Sequence, residues 1–258
     1  MAWQESSAGI WVVTDSRLTT GSTRLTDNAA KLLEVTATLN ECADRDPIWR
    51  PVRSTKMGFA YAGSSLVALQ AFAAVLPLWS RLYDRRFHFP KVEDFAIHLG
   101  RFIATYAKSV GAGTGELPRT ECCLFGFDER LGLGEGWLIW PTIRDNDVVC
   151  DRRLLRLGDG EIEIFGSGKD VARSRLPTPS TWAREPLGMI RDQLHDDSSE
   201  DVGGGVQVGY LNGGGFTLLS DARPEAGASS GFDPRYRGLS FNEIAMVGEA
   251  TVTLPGIL

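Results

Sequence analysis

The chain has 258 residues, 43% hydrophobic and 23% charged, with a net charge of −6. That length and apolar fraction are enough to bury a full core, in one large domain or two small ones. The acidic balance, with no basic stripe interleaved with aromatics, argues against a nucleic-acid partner, and the longest apolar run, LVALQAFAAVLPLW, is broken by Gln70 and Pro77 and is too short to cross a bilayer.

The N-terminus lacks the basic stretch and apolar core of a secretory signal. The four cysteines, Cys42, Cys122, Cys123 and Cys150, show no C-x-x-C or Cys/His spacing. A reduced, cytoplasmic setting is therefore expected, with no metal and no cofactor. His88, His98 and His195 are scattered, and His98 sits inside an apolar helical pattern where a structural histidine is the expectation.

In chain order, Ala2–Glu5 and Ile10–Asp15 read as two strands around the turn SSAG, the second ending in Asp15-Ser16-Arg17. AAKLLEVTATLN and KMGFAYAG read as strands by their β-branched and alternating content. Ser64 is a candidate N-cap for a helix with an apolar stripe of Leu66, Leu69, Phe72, Leu76, Trp79 and Tyr83. After Pro90 comes a second helix, with the stripe Val92, Phe95, Leu99, Phe102, Tyr106 and Val110. The two are expected side by side on one sheet. TECCLFGF, GWLIWPTI, DVVCDRRLLRL and EIEIFGSG resume the strands, followed by the short helix KDVARSRL and another in TWAREPLGMIRDQL. GGVQVGYL is one more strand, GFTLLSD an edge strand, and the Gly/Pro/Ser-rich stretch from Asp221 to about Arg237 an irregular surface segment. Strands, two helices, strands, two helices, strand is the order of two sheets between two helical layers, not of alternating βαβ units.

Several short segments carry a resemblance. VVTDSRLTTG is similar to the Asp-Ser-Arg segment of proteasome β-subunits and their bacterial relatives, which are N-terminal-nucleophile hydrolases. DNAAKLL resembles the segment that supplies the family's active-site lysine, and the separation from Asp15 to Lys31 equals the one in the family. FAYAGSSLVA, FGSGKDVAR and DVGGGVQVGYL resemble, in order, the family's strand–glycine–helix junction, its later Gly-Ser-Gly turn, and its penultimate glycine-rich turn and strand. The resemblance covers about residues 2–211. It implies an α+β fold, a four-layer αββα sandwich over residues 1–220, with 221–258 as a C-terminal extension packing on it. It also implies a closed homo-oligomeric ring acting on peptide or protein substrates; exposed aromatics such as Trp79 and Trp182 are expected to contribute to its contacts.

In this family a Thr, Ser or Cys at the first position of the mature chain is the nucleophile, and its own α-amine, which titrates near neutral pH, is the general base. By the resemblance, Lys31 places a positive charge beside both groups, and Asp15 pairs with Lys31 and orients it. A buried lysine and aspartate have to be paired, because an unpaired charge costs several kcal/mol. Arg17 fixes the turn around Asp15, the Gly63 N–H serves as oxyanion donor, and Ser167 hydrogen-bonds the terminal amine. Each residue also has a plain structural reading, since Asp-Ser-Arg ends many strands and Gly63 could be a turn glycine.

GSGKD invites a phosphate-loop reading, but Glu163 stands where that motif needs glycine, and Asp170 where it needs Ser or Thr. The nucleophile itself has no counterpart in the sequence. With the turn centred between Ser7 and Ala8, the place across from Asp15 falls at Met1 or one residue ahead of it. The family's spacing puts the nucleophile two residues ahead of Met1, and Ser6 and Ser7 lie in the turn. Either the start of the reading frame lies downstream of the true one, or the protein is a non-catalytic member of the family; a small-molecule amidase on the same fold is a third reading. Retention of Asp15, Lys31, Gly63 and Ser167 favours the first; Gly203 and Glu200, standing where active members carry serine and aspartate, favour the second.

Overall fold

The computed structural model describes residues 1–5, 9–20, 23–43, 46–158, 161–175, 187–188, 190, 202–224, 232–236 and 239–253. The helix expected in TWAREPLGMIRDQL, the turn serines, Trp182, His195 and Glu200 lie wholly or mostly outside these residues. The protein is a mixed α/β chain in which strands outnumber helices. In chain order it runs β1 (Ala2–Glu5), β2 (Gly9–Asp15), β3 (Leu18–Thr20), β4 (Thr23–Thr26), β5 (Leu32–Ala43), β6 (Asp46–Gly63), α1 (Ser65–Trp79), β7 (Leu82–Tyr83) and α2 (Val92–Thr114). Then come β8 (Thr120–Asp128), β9 (Leu133–Arg144), β10 (Asp147–Leu154), β11 (Ile162–Glu163), α3 (Lys169–Arg175), β12 (Val206–Asn212) and β13 (Gly215–Leu219). The C-terminal region holds β14 (Asp221–Pro224), β15 (Phe232–Tyr236), β16 (Leu239–Ser240), the one-turn helix α4 (Phe241–Ile244), β17 (Met246–Val247) and β18 (Ala250–Thr251). Two units divide the chain: Met1–Leu33, Leu157–Tyr210 and Thr217–Leu258 form one, Glu34–Arg156 and Leu211–Phe216 the other.

A five-stranded sheet, ordered β11-β1-β2-β12-β13, organises the first unit. β1 and β2 pair antiparallel with Ala2 opposite Val12 and Glu5 opposite Gly9. Trp3 and Trp11 stack across this hairpin at 6.2 Å, and Trp11 leans on Tyr210 at 4.7 Å. Gly9 is required here, because a Cβ would enter the Tyr210 ring. Met1, Trp3, Val13, Val206 and Val208 pack with Ala172 of α3 and with Leu187 and Ile190, so helical residues cover one face of the sheet. The same unit corrects one expectation. The described residues of the stretch after Asp221 are not irregular: β14, β15 and β16 form an antiparallel sheet with Ala222 opposite Pro234. The Gly/Ser-rich middle of that stretch dominated its composition and hid two short strands.

The second unit is built on a six-stranded sheet ordered β10-β9-β8-β6-β5-β7. Ser64 caps α1 as expected, its Oγ accepting from Val67 N at 3.4 Å. α2 starts after Pro90 with Glu93 and Asp94 in its first turn, which suits the positive end of the helix dipole, and ends at Gly115 with φ 81°. The two helices lie against one another and against this sheet. α2 buries Val92, Phe95, Leu99 and Ile103. α1 does not bury the expected stripe. Val67, Ala68, Ala71, Val75 and Trp79 face inward, while Leu66, Leu69 and Leu76 are exposed. The sequence offers two apolar stripes, and the small-residue one wins because it lets the helix axis approach its neighbours closely. The helix also stops at Trp79, and Tyr83 belongs to β7, paired in parallel with β5. The turn between is held by Asn40, whose Nδ2 donates to the carbonyls of Ser80 and Leu82 at 3.1 and 3.3 Å.

Trp79, expected as an exposed aromatic, is only 1% exposed. Its ring meets Phe95 edge-on at 4.9 Å, and its Nε1–H donates to His98 Nδ1 at 3.1 Å. His98 is thus the structural histidine its setting suggested. Burial, with a smaller contribution from the Arg101 charge, holds its pKa below the ordinary imidazole value. On acidification the unfolded chain takes up the proton first, so this group's contribution is present above about pH 6.5 and is lost as pH falls through the lower folded value. The urea midpoint should accordingly fall between about pH 7 and about pH 5, and His98→Gln, which keeps an acceptor but does not titrate, should fall less steeply. Identical slopes for the two proteins would contradict the assignment.

Candidate functional site

β2 ends in Asp15, and the chain then leaves the sheet through Ser16 and Arg17. The next strand to run inward is β5, which starts one residue after Lys31. The two strand ends bring the charges together: Lys31 Nζ donates to Asp15 Oδ1 at 2.8 Å. Both side chains are largely buried, 12% and 15% exposed. The other carboxylate oxygen, Oδ2, accepts from the backbone N–H of Arg17 at 3.1 Å and of Gly203 at 3.2 Å. Asp15 therefore holds three donors, which compensates the cost of removing its charge from water.

Arg17 was expected to fix the turn around Asp15. Its backbone N–H donates to Asp15, and its guanidinium lies 2.8 Å from Asp27 Oδ1 through Nε and 3.4 Å from the Val202 carbonyl through one terminal nitrogen. Asp27 is held from its other oxygen by Arg24. Arg17 fixes the loop through Asp27, and so orients Asp15 at one remove.

Three further residues build the site and were not singled out in the sequence. Ser16 is fully buried; its Oγ donates to the Asp27 carbonyl and accepts from Gly205 N at 2.6 Å. Gln207 on β12 accepts from Lys31 N and Leu32 N on one amide oxygen, both at 3.0 Å, and donates to the Ala29 carbonyl at 2.5 Å. This side chain replaces the ladder bonds that residues 29–32 lack and thereby fixes the Lys31 backbone. Its signal was available, since an amide between two valines in an apolar strand must find buried partners. The third is Asp27, the acidic residue of DNAAKLL.

Gly203, noted as standing where a serine was expected, has a physical reason to be glycine. Its N–H serves Asp15, its carbonyl accepts from Ser16 N at 3.2 Å, and a Cβ there would collide with the Arg17 guanidinium. Ser167 is exposed in the turn before α3. The Met1 α-amine donates to the Val13 carbonyl at 2.7 Å. Gly63 belongs to the other unit, at the end of β6 opposite Thr120. It is glycine because its φ is 86° and a Cβ would strike the Arg119 carbonyl. Chain packing within the unit accounts for it without a substrate.

The β1–β2 register continues through Met1 and Val13, whose backbones exchange both bonds at 2.7 and 2.8 Å. Carried two pairs further, it puts the place across from Asp15 two residues ahead of Met1. This differs from the placement based on a turn centred between Ser7 and Ala8, because Gly9 belongs to β2 and pairs with Glu5, which makes the connection between the strands one residue shorter on its Gly9 side.

Chemically, the site holds a charged ammonium at a fixed point. Ser16 Oγ is committed to two partners and shielded from solvent, so it is no nucleophile. Burial pushes the Cys122 thiol well up and that of Cys150 to about 12, which leaves both protonated and inert at neutral pH. Among the described residues no group of three or more His, Cys, Asp or Glu side chains is arranged to hold a metal ion. Among the same residues no helix is long and apolar enough to cross a membrane.

No protein-family model matches the chain. No curated protein matches it. Among solved structures it is similar to Anbu (ancestral beta-subunit) from Yersinia bercovieri, at a TM-score of 0.48 and 13% sequence identity, over 82% of this chain and 80% of that one.

The contact between Gly203 and Arg17 makes a direct prediction. Gly203→Ser should destabilise the protein by about 1–3 kcal/mol in urea unfolding, as overpacked sites do. In an Arg17→Ala background the same substitution should cost less, because the obstructing guanidinium is gone. An equal cost in both backgrounds would mean that Arg17 is not what excludes a side chain at this position.

Proposed function

We propose that this chain is a proteasome-type N-terminal-nucleophile protein whose charged junction serves peptide-bond hydrolysis. In this reading residues 1–220 form the family's four-layer αββα sandwich, and 221–258 form an extension packed on it. The observation that carries the reading is the Asp15–Lys31 ion pair, 2.8 Å long and formed across sixteen residues of sequence, the separation found in the resembling family. Lys31 is the charge that lowers the pKa of an adjacent α-amine and stabilises an ionised hydroxyl; Asp15 orients it, Arg17 positions Asp15, and the resemblance gives Ser167 the role of amine partner and Gly63 that of oxyanion donor. The β1–β2 register lends support, because the place opposite Asp15 coincides with the family's nucleophile position.

In the reaction so assigned, the nucleophile's hydroxyl oxygen attacks the substrate carbonyl and its α-amine takes the proton. The amine then protonates the leaving nitrogen, and water cleaves the acyl ester. A chain carrying Thr-Ala ahead of Met1, with the threonine as a free N-terminus, should hydrolyse fluorogenic peptides. Lys31→Ala in that chain should lower the rate by orders of magnitude with circular dichroism unchanged. If the extended chain is inert, the non-catalytic member is the better reading.

The reading includes assembly into a closed homo-oligomeric ring in the cytoplasm, without nucleic acid, membrane or cofactor. Trp79 takes no part in such contacts, being buried, and what supports assembly instead is the outer side of α1. Leu66, Leu69, Ala73 and Leu76 lie within one exposed stripe of the helix, an arrangement that marks interaction surfaces. Replacing Leu69 and Leu76 together by Glu should reduce the mass measured by light scattering to that of a smaller species. A native chain that is strictly monomeric at micromolar concentration would remove the assembly part of the proposal.

A further inference from the structure

In the second unit, between β6, the start of α2 and the end of β8, lies a cavity of about 160 Å³. That is close to the volume that admits one benzene ring. Its apolar lining is aromatic: Phe87, Phe89, Phe95 and Phe127, with Met57. Phe89 and Phe95 sit 5.9 Å apart, and the Arg53 guanidinium lies 4.9 Å over the Phe89 ring, so one wall is built as a stack. Rings in this arrangement present faces and edges suited to a further aromatic group.

Phe87 adds an independent observation. It is half exposed, yet its backbone is left-handed, with φ 56°, an uncommon state for a bulky residue. Asp84 imposes it: its carboxylate accepts from Arg86 N at 3.1 Å and His88 N at 2.9 Å, and its carbonyl accepts from Phe87 N at 3.0 Å. The turn thus keeps an apolar ring at the side of the cavity. Burial of that ring does not explain the conformation.

Charges around the cavity nearly cancel. Arg53 pairs with Glu129, and Arg130 with Asp128 at 3.2 Å. Lys91 lines the same cavity, is exposed, and its ammonium has no ion pair among the described residues; the Asp94 carboxylate, outside the lining, accepts from its backbone N–H at 2.9 Å. Among the charged side chains that line the cavity, the one without an ion pair among the described residues is therefore an ammonium beside an aromatic slot.

We propose that this cavity binds a small aromatic carboxylate, with a single ring among Phe87, Phe89 and Phe127 and its carboxylate at Lys91. Neither the hydrolase site nor its assembly enters the argument.

The test is titration of the full chain with phenylacetate, followed by amide NMR, alongside benzyl alcohol and benzylamine as neutral and cationic counterparts. Phenylacetate should give saturable shifts confined to residues 53–57, 87–95 and 127–130, and benzylamine should bind more weakly. Lys91→Met should weaken phenylacetate by about threefold, the effect of one exposed ion pair, and leave benzyl alcohol unchanged. Phe127→Leu should weaken all three ligands, with thermal unfolding recorded to exclude loss of fold. Shifts that do not saturate or that lie elsewhere would overturn the proposal. So would benzylamine binding as tightly as phenylacetate, or phenylacetate binding unchanged in Lys91→Met.

Discussion

The carboxylate of Asp15 is the constraint on which the first unit's charged loops depend. It lies at the end of a buried strand, where leaving an ionised group without partners would cost several kcal/mol. Three donors from three stretches of chain meet that demand: the Lys31 ammonium, the Arg17 N–H and the Gly203 N–H. Each donor in turn restricts its own segment. Lys31 has to approach from the strand that Gln207 holds, Arg17 has to turn its side chain towards Asp27, and residue 203 has to be small. One charge placed where water is scarce thus fixes the path of residues 15–17, 27–32 and 202–207.

How much of this was legible depended on the range of the signal. The β1–β2 hairpin, the helix starts at Ser64 and Pro90, and the strands of β8 to β10 follow from local periodicity and capping. The Asp15–Lys31 pair was legible for another reason: a resemblance supplied the separation that chemistry alone could not. The burial face of α1 was not legible, because Leu66, Leu69 and Leu76 and the opposed Val67, Ala71 and Val75 are both apolar helical stripes. Choosing between them requires knowing how closely the helix approaches its neighbours, which is a tertiary quantity. The partners of Gln207 and Gly203 were not legible for a similar reason. That an amide between two valines needs buried partners is local information, but which groups it and the glycine at 203 meet lies more than a hundred residues away in sequence.

The glycines illustrate how function and packing compete as explanations. Gly63 stands where the resemblance expects an oxyanion donor; its left-handed φ and the Arg119 carbonyl already demand glycine. Gly203 stands where the resemblance expects a serine; the Arg17 guanidinium already occupies the space of a side chain. A residue type that packing alone requires is weak evidence for chemistry, and its departure from a family pattern is equally weak evidence against it. Weight then shifts to groups for which packing gives no sufficient account.

Lys31 is such a group. Arg17 has the marks of a structural cation: it is 7% exposed and uses its planar fork on a carboxylate and a backbone carbonyl. An ammonium has three donor hydrogens, and among the described residues Lys31 uses one, on a single oxygen of Asp15. The second oxygen of Asp15 serves two backbone N–H groups, so the loop would stay tethered to the carboxylate without the lysine. Removing the lysine alone would leave a largely buried carboxylate short of a charged partner, which costs stability, although two backbone N–H groups remain on Asp15. The cation in turn depends on the fold to be held in place, 12% exposed and with donors to spare. Lys31 differs in this from Arg17, whose guanidinium is engaged by both a carboxylate and a backbone carbonyl.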